Sequence, residues 1–215
     1  MRFLCFHGRG TNARIFEQQT ARIREALGRE HEFVFIDGPV AASPAVGLEK
    51  GDDHYFQWVG GDWNQRHELY KDLIDFIESQ GPFDSLMAFS EGGSVAAQML
   101  IEDSCHHFGN FKCAVFFSAP IPLDPELVAR GIIVEASRPA ALAGIPTAHI
   151  WSEAGEIYPG AGREWVSCCD ADMREEVVHN LGHEVPGSVT EEGFSQTLRA
   201  IERTIERAKA LGHMQ

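Results

Sequence analysis

A short apolar run that ends in a serine between small residues constrains the fold more than any other stretch of the sequence. Leu86-Met87-Ala88-Phe89 leads into Ser90, with Gly92 two positions after the serine. Small residues two positions before and after the serine permit a tight strand-to-helix turn, which lifts the hydroxyl clear of a sheet. The following helix would point its N-terminal amides at charge developing near Ser90. The pattern predicts a nucleophile elbow; the alternative is that Ser90 only caps the helix and the glycines only allow close packing.

Short apolar runs alternate with amphipathic stretches along the chain, a pattern typical of a parallel sheet flanked by helices. The predicted strands are 2–7, 33–37, 85–89, 112–118, 147–152 and 176–179. The predicted helices are 68–78, 92–102 and 191–211, with a further helical stripe from Ile15 to Leu27. We therefore predict one α/β domain over residues 1–215, with a mostly parallel sheet and helices on both faces.

Two stretches do not fit the alternation. Residues 38–63 combine glycines and aspartates with Tyr55, Phe56, Trp58 and Trp63, and predict either a substrate-facing loop or packing over the sheet edge. Residues 119–144 are rich in proline and glycine and predict a cap or crossover segment.

The charge balance excludes several classes of partner. Eighteen basic and 32 acidic residues give a net charge of −14, which disfavours nucleic acid and anionic membranes because both are polyanions. Five cysteines without framework spacing argue against a disulfide-stapled secreted domain, and no Cys/His spacing fits a metal. No stretch has the length of a signal peptide's apolar region or of a membrane span, so we expect a cytoplasmic protein.

The loop after the first predicted strand could supply amides for an oxyanion. It reads His7-Gly8-Arg9-Gly10, and glycines permit the close backbone approach that such a donor needs. We expect the backbone N–H groups of Arg9 and Glu91 to form an oxyanion hole. The alternative is a plain strand–helix turn in which His7 is a packed core histidine.

A histidine near the C-terminus is the candidate base. His183 follows Gly182 in a loop after the last predicted strand, where a base could reach the serine across the strand ends. His179 is less favoured because it lies within or at the end of that strand. The adjacent His106 and His107 predict a solvated helix end.

Several blocks of the sequence resemble the fungal serine hydrolase family often called FSH1, including its polyketide-releasing thioesterase branch. They are residues 4–20, 35–39, 81–84, 145–150 and 182–186, so the resemblance runs across nearly the whole chain. It implies a single-domain α/β-hydrolase, a Ser-His-acid triad and no cofactor.

The chain departs from this family at the triad acid. The family pattern His-Val-x-Gly-x-x-Asp aligns with residues 149–155 and puts Gly155 in the place of the aspartate. Glu156 lies one residue later and Glu153 two earlier, and a glutamate can accept the imidazole N–H as an aspartate does. We favour Glu156; the alternative is an incomplete triad.

These residues predict a serine hydrolase with Ser90, His183 and Glu156 as triad, and the resemblance implies that it cleaves a thioester or ester through an acyl-enzyme. The resemblance implies release of an acyl or polyketide chain, with an acyl carrier protein of a polyketide synthase as a candidate partner. The alternatives are a carboxylesterase or lactonase acting on a free small molecule, and a protein of this fold that promotes a non-hydrolytic cyclisation or only binds its ligand.

Overall fold

The computed structural model describes residues 1–48, 54–60, 63–120 and 144–212, without the side chains of Trp63, Asn64, Arg66 and Cys105. The predicted cap or crossover at 119–144 falls almost entirely outside the described residues.

The centre of the molecule is a six-stranded sheet in which every neighbouring pair is parallel. Its strands are β1 (Arg2–Phe6), β2 (Glu32–Ile36), β5 (Ser85–Phe89), β6 (Cys113–Phe117), β7 (Thr147–Ser152) and β8 (Arg174–His179). Their order across the sheet is β2-β1-β5-β6-β7-β8. A separate antiparallel pair, β3 (Val40–Ala41) and β4 (Phe56–Gln57), lies within the stretch predicted to be irregular.

Helices cover both faces of the sheet. In the described ranges they are α1 (Ala13–Gln19), α2 (Ala21–Leu27), α3 (Trp63–Gln80), α4 (Glu91–His106), α5 (Ala161–Cys168) and α6 (Phe194–Gly212). Alternate strand residues point to opposite faces, so Leu86 and Ala88 join one core with α3, α4 and α5. Met87 and Phe89 join a second core with α1, α2 and α6. The predicted α/β architecture is confirmed.

Several local predictions need correction. The stripe from Ile15 to Leu27 is two helices, since helical structure is interrupted at Thr20 between α1 and α2. α3 begins five residues before its predicted start, α4 ends four residues after its predicted end, and α6 begins three residues after its predicted start. α5 was not predicted at all: its eight residues are too few for a stable isolated helix, and burial of Trp165 and Val166 holds it against the fold.

The direction of the strands determines where the functional residues lie. In a parallel sheet all carboxyl ends meet at one edge, which is where open α/β sheets bind ligands. The residues after β1, β5, β6, β7 and β8 therefore meet at that edge. Among the described residues no helix is both long and apolar enough to cross a bilayer.

Candidate active site

Ser90 occupies a strained turn between β5 and α4. Its backbone has φ 53° and ψ −123°, in a region that a residue with a side chain rarely adopts. The turn is held by Ser90 N–H, which donates to Phe117 O at 2.9 Å, and by Gly93 N–H, which donates to Ser90 O at 2.8 Å. The Ser90 side chain makes no capping bond to α4, so the reading of Ser90 as a simple helix cap is wrong.

Glycine at position 92 lets α4 approach β1 closely. A Cβ built on Gly92 would lie 2.5 Å from His7 O and 2.6 Å from Phe6 O, distances that backbone atoms cannot accommodate without a shift. The small residue two positions after the serine is thus required by packing as well as by the turn.

His183 connects Ser90 to an acid. Its Nε2 lies 2.8 Å from Ser90 Oγ, and its Nδ1 is hydrogen-bonded to Glu156 Oε2. With Nδ1 protonated, the imidazole donates to the carboxylate and accepts the serine O–H, which is the tautomer that a general base needs. The structure therefore brings together three side chains that are up to 93 positions apart in the sequence.

Glu156, and not Glu153, contacts the histidine. Its second oxygen, Oε1, accepts Ser118 Oγ–H at 2.7 Å and Ser152 N–H at 2.9 Å. Burial raises the pKa of Glu156, but the hydrogen bonds from His183, Ser118 and Ser152 outweigh it and hold that pKa below the ordinary value. Glu153 is exposed and forms an ion pair with Arg163 at 3.0 Å.

The loop backbone disfavours an acidic residue at position 155. Gly155 has φ +75°, and a Cβ there would lie 3.1 Å from Gly182 Cα. An aspartate at 155 would be strained in this conformation and crowded against the loop that carries His183. A glutamate one position later reaches the histidine with its longer side chain.

Ser118 was not singled out from the sequence, although its position could have indicated it. It ends the predicted strand 112–118, at the same edge as Ser90, and is buried with φ 45°. Its N–H donates to Ile150 O at 2.7 Å, which fixes the backbone while the hydroxyl faces Glu156.

Removing the Ser118 hydroxyl should lower kcat about tenfold with little change in KM, because a hydrogen bond to a carboxylate contributes on the order of 1.5 kcal/mol. Steady-state kinetics of Ser118→Ala and Ser118→Gly provide the test. Glycine relieves the positive φ whereas alanine retains it, so an equal loss in both variants assigns the effect to the hydroxyl. A loss in Ser118→Gly alone would instead point to the backbone.

The loop after β1 lies directly against Ser90. A Cβ on Gly8 would be 3.3 Å from Ser90 Cβ. Arg9 and Ser90 line one cleft, and Glu91 is the first residue of α4. The carboxylate of Glu91 accepts Trp58 N–H at 2.9 Å, which ties the 54–60 segment to the start of α4. The two amides expected to bind an oxyanion thus belong to segments on either side of the serine.

His7 is a core histidine, as the alternative reading had it. It is fully buried, Nδ1–H donates to Gly8 O at 2.7 Å, and Nε2 accepts Gly38 N–H at 2.9 Å. Burial lowers its pKa and favours this neutral form. Trp58 is buried beside it and donates its indole N–H to His7 O at 2.8 Å. Trp58 is therefore a core residue, whereas its neighbours Gln57 and Val59 line the cleft.

Ser90 and His183 open onto a cleft of about 1520 Å³. Its described lining comes mainly from the loop after β1, α1, residues 41–48, residues 57–59, α3, the start of α4 and the loops after β7 and β8. His106 and His107, predicted as a solvated helix end, are exposed at and just beyond the end of α4. In the described ranges no group of three or more His, Cys, Asp or Glu residues could hold a metal ion.

The fold has solved counterparts. SOBER1 of Arabidopsis thaliana superposes with a TM-score of 0.61 at 14% identity, covering 97% of this chain and 98% of that one. A Bacillus cereus carboxylesterase superposes with a TM-score of 0.58 at 16% identity, covering 95% of this chain and 87% of that one. At these identities the likeness concerns the α/β-hydrolase fold alone.

Sequence comparison finds relatives of higher identity. Esterase FPY3 of Fusarium mangiferae is 31% identical over 221 residues, which covers 97% of this chain and 98% of that protein. Esterase FUS5 of Gibberella moniliformis is 25% identical over 230 residues, covering 98% and 91%. The family model described as serine hydrolase (FSH1) matches residues 1–204. The chain therefore belongs to the FSH1 serine hydrolase family and is an enzyme of the hydrolase class.

Proposed function

We propose that Ser90, His183 and Glu156 are the catalytic triad of an esterase or thioesterase that works through an acyl-enzyme. The observation that carries this proposal is the continuous hydrogen-bonded line from Ser90 Oγ through both nitrogens of His183 to Glu156. It begins at a residue held in the strained elbow conformation, where strain is typical of functional positions.

The reaction follows from these contacts. His183 Nε2 takes the proton as Ser90 Oγ attacks the substrate carbonyl, and the Arg9 and Glu91 amides stabilise the oxyanion. Glu156 stabilises the imidazolium. The tetrahedral intermediate collapses with loss of the alcohol or thiol, which receives the proton from His183. Water then attacks the acyl-enzyme by the same steps and releases a carboxylic acid.

Release of a polyketide or other acyl chain in secondary metabolism is the finer proposal, and it rests on the family resemblance. A carrier-bound substrate would need a local basic docking patch, because acyl carrier proteins are acidic and this chain has a net charge of −14. The same chemistry serves a carboxylesterase or lactonase acting on a free small molecule. An incomplete triad would favour a non-hydrolytic role. The contact between Glu156 and His183 argues against that alternative.

Labelling with a fluorophosphonate tests the nucleophile. Ser90 Oγ should displace fluoride and add one phosphonyl group per chain, measured as a single shift in intact mass. Ser90→Ala should not be labelled, and His183→Ala should be labelled much more slowly. Ser94→Ala is the matched control, because Ser94 lines the same cleft but bonds to Pro120 O.

Once labelling has identified the nucleophile, the unlabelled enzyme is used to compare substrates. Matched esters and thioesters of one acyl chain, the latter free and carrier-bound, should be compared by kcat/KM. A preference for the carrier-bound thioester would support chain release from a carrier. Folded wild type that stays unlabelled and hydrolyses neither class would overturn the proposed mechanism.

A further inference from the structure

The exposed apolar side chains of this protein are concentrated at the mouth of the cleft. Among the described residues five large hydrophobic side chains are exposed: Val46, Ile157, Tyr158, Val178 and Val189. All but Val178 line the cleft. We call these four residues, Val46, Ile157, Tyr158 and Val189, the apolar rim.

The rim is assembled from three separate segments of the chain. Val46 follows β3, Ile157 and Tyr158 follow the acid Glu156, and Val189 follows the loop of His183. Val46 is fully exposed, and the exposed fractions are 79% for Val189, 62% for Ile157 and 55% for Tyr158. Clustered exposure of this kind marks a binding surface, whereas single exposed hydrophobic residues are ordinary.

The rest of the described cleft lining combines apolar side chains with uncharged polar ones such as Gln18, Gln57 and Ser188. Its apolar members include Ile15, Leu48, Val59, Tyr70, Phe89 and Val95. Apart from His183, the acidic and basic side chains in the described lining are Arg9, Glu91 and Glu184. The Glu91 carboxylate is engaged by Trp58 N–H. The cleft thus offers little recognition for a highly charged acyl group.

The size of the cleft also points to a large acyl group. At about 1520 Å³ it exceeds the range of roughly 300–1,000 Å³ typical of small-molecule sites. An acetyl group bound to Ser90 would leave most of the wall and all of the rim in water. An extended chain would cover both, and burial of apolar surface is the main favourable term in such binding.

We infer that the acyl part of the substrate is a long, uncharged apolar chain that runs from Ser90 along the cleft and out over the apolar rim. This inference rests on the proposed function. It names the acyl class that the site selects and makes the rim part of substrate binding. The acyl chain is bound as a single molecule and not as part of a lipid surface.

A series of p-nitrophenyl esters from acetate to decanoate tests the inference, with each ester kept below the concentration at which it aggregates. We expect kcat/KM to rise with chain length by up to about fourfold per methylene, the equivalent of about 0.8 kcal/mol. The rise should reach at least 100-fold between acetate and decanoate. Activity that jumps only once the ester aggregates would mean a lipid surface and would overturn the inference.

Substitutions in the apolar rim test whether it causes the preference for long acyl chains. In the triple variant Val46→Ser, Ile157→Ser and Val189→Ser, the ratio of kcat/KM for decanoate over acetate should fall about tenfold or more. Val178→Ser is the matched control: it removes the remaining exposed valine, which lies on β8 and does not line the cleft. An equal fall in the control, or an unchanged ratio in the triple variant, would overturn the role of the rim.

Failure of the inference is distinguishable from failure of the proposed function. If the fluorophosphonate labels Ser90 and all ester lengths react equally well, the triad stands and the long-chain inference is wrong. If Ser90 is not labelled and no ester reacts, the proposed function itself is wrong.

Discussion

Replacing Glu156 with glutamine is expected to lower kcat by about 10³- to 10⁴-fold, while Glu153→Gln stays within about twofold of wild type. Loss of the orienting carboxylate costs about 10⁴-fold in the serine-protease triad, because the imidazole no longer keeps the productive tautomer. Glu156 contacts His183 Nδ1 directly, whereas Glu153 is exposed and pairs with Arg163. The steady-state kcat of both variants is measured on one ester, after any initial burst of product.

The two glutamates form a matched pair, since they lie three positions apart in one loop and lose the same charge on substitution. Glutamine at 156 keeps the side-chain volume and can still accept Ser152 N–H, so the fold should persist, which far-UV circular dichroism would verify. Comparable losses at 153 and 156 would show a general charge effect. An active Glu156→Gln enzyme would remove Glu156 from the triad.

Acidification should destabilise the protein through His149, with an effect on the order of 5 kcal/mol. This histidine is buried between Phe116 and Trp165, its Nδ1 has no hydrogen-bond partner in the described part of the chain, and burial lowers its pKa to about 3. In the unfolded chain a histidine titrates near pH 6.5. Between these pH values the histidine is protonated in the unfolded state and neutral in the folded state. The free energy of unfolding therefore falls as the pH drops from about 6.5 towards 3.

Denaturant unfolding at a series of pH values measures this loss. Carboxylates also titrate in the window, so the informative quantity is the pH dependence of each variant and not its absolute stability. His149→Phe keeps a ring against Phe116 and should lose much less stability on acidification than wild type. His106→Gln, which changes an exposed histidine, should follow wild type. Parallel curves for all three proteins would contradict the assignment to His149.

Most of the sheet could be predicted because its strands are short apolar runs with clear ends. β5 and β7 have the predicted bounds, and the other large strands differ by one or two residues. Such runs predict buried parallel strands from local sequence alone. In contrast, β3, β4 and α5 are too short to carry a periodic signal, and each is stabilised by contacts with distant residues.

The site was predictable to the extent that strand ends determine it. Ser90 and His183 each follow a predicted strand, and parallel strands bring their carboxyl ends together. Which glutamate contacts His183 was harder to predict, because the choice between Glu153 and Glu156 depends on how one loop turns. That turn depends on Gly155 at φ +75° against Gly182, a contact between segments that no local pattern reveals.

The two donors that hold Glu156 Oε1 lie at the edge of the sheet and not in the loop that carries Glu156. Ser118 Oγ–H and Ser152 N–H lie at the ends of β6 and β7, fixed by the sheet, while the carboxylate is delivered by a loop. Together they form a receptor for one carboxylate oxygen that is fixed by the sheet and not by the loop. We therefore expect these two donors to hold the carboxylate even where a related loop supplies it from another position. In divergent relatives the acid is better sought from this receptor outward than by counting residues along a motif.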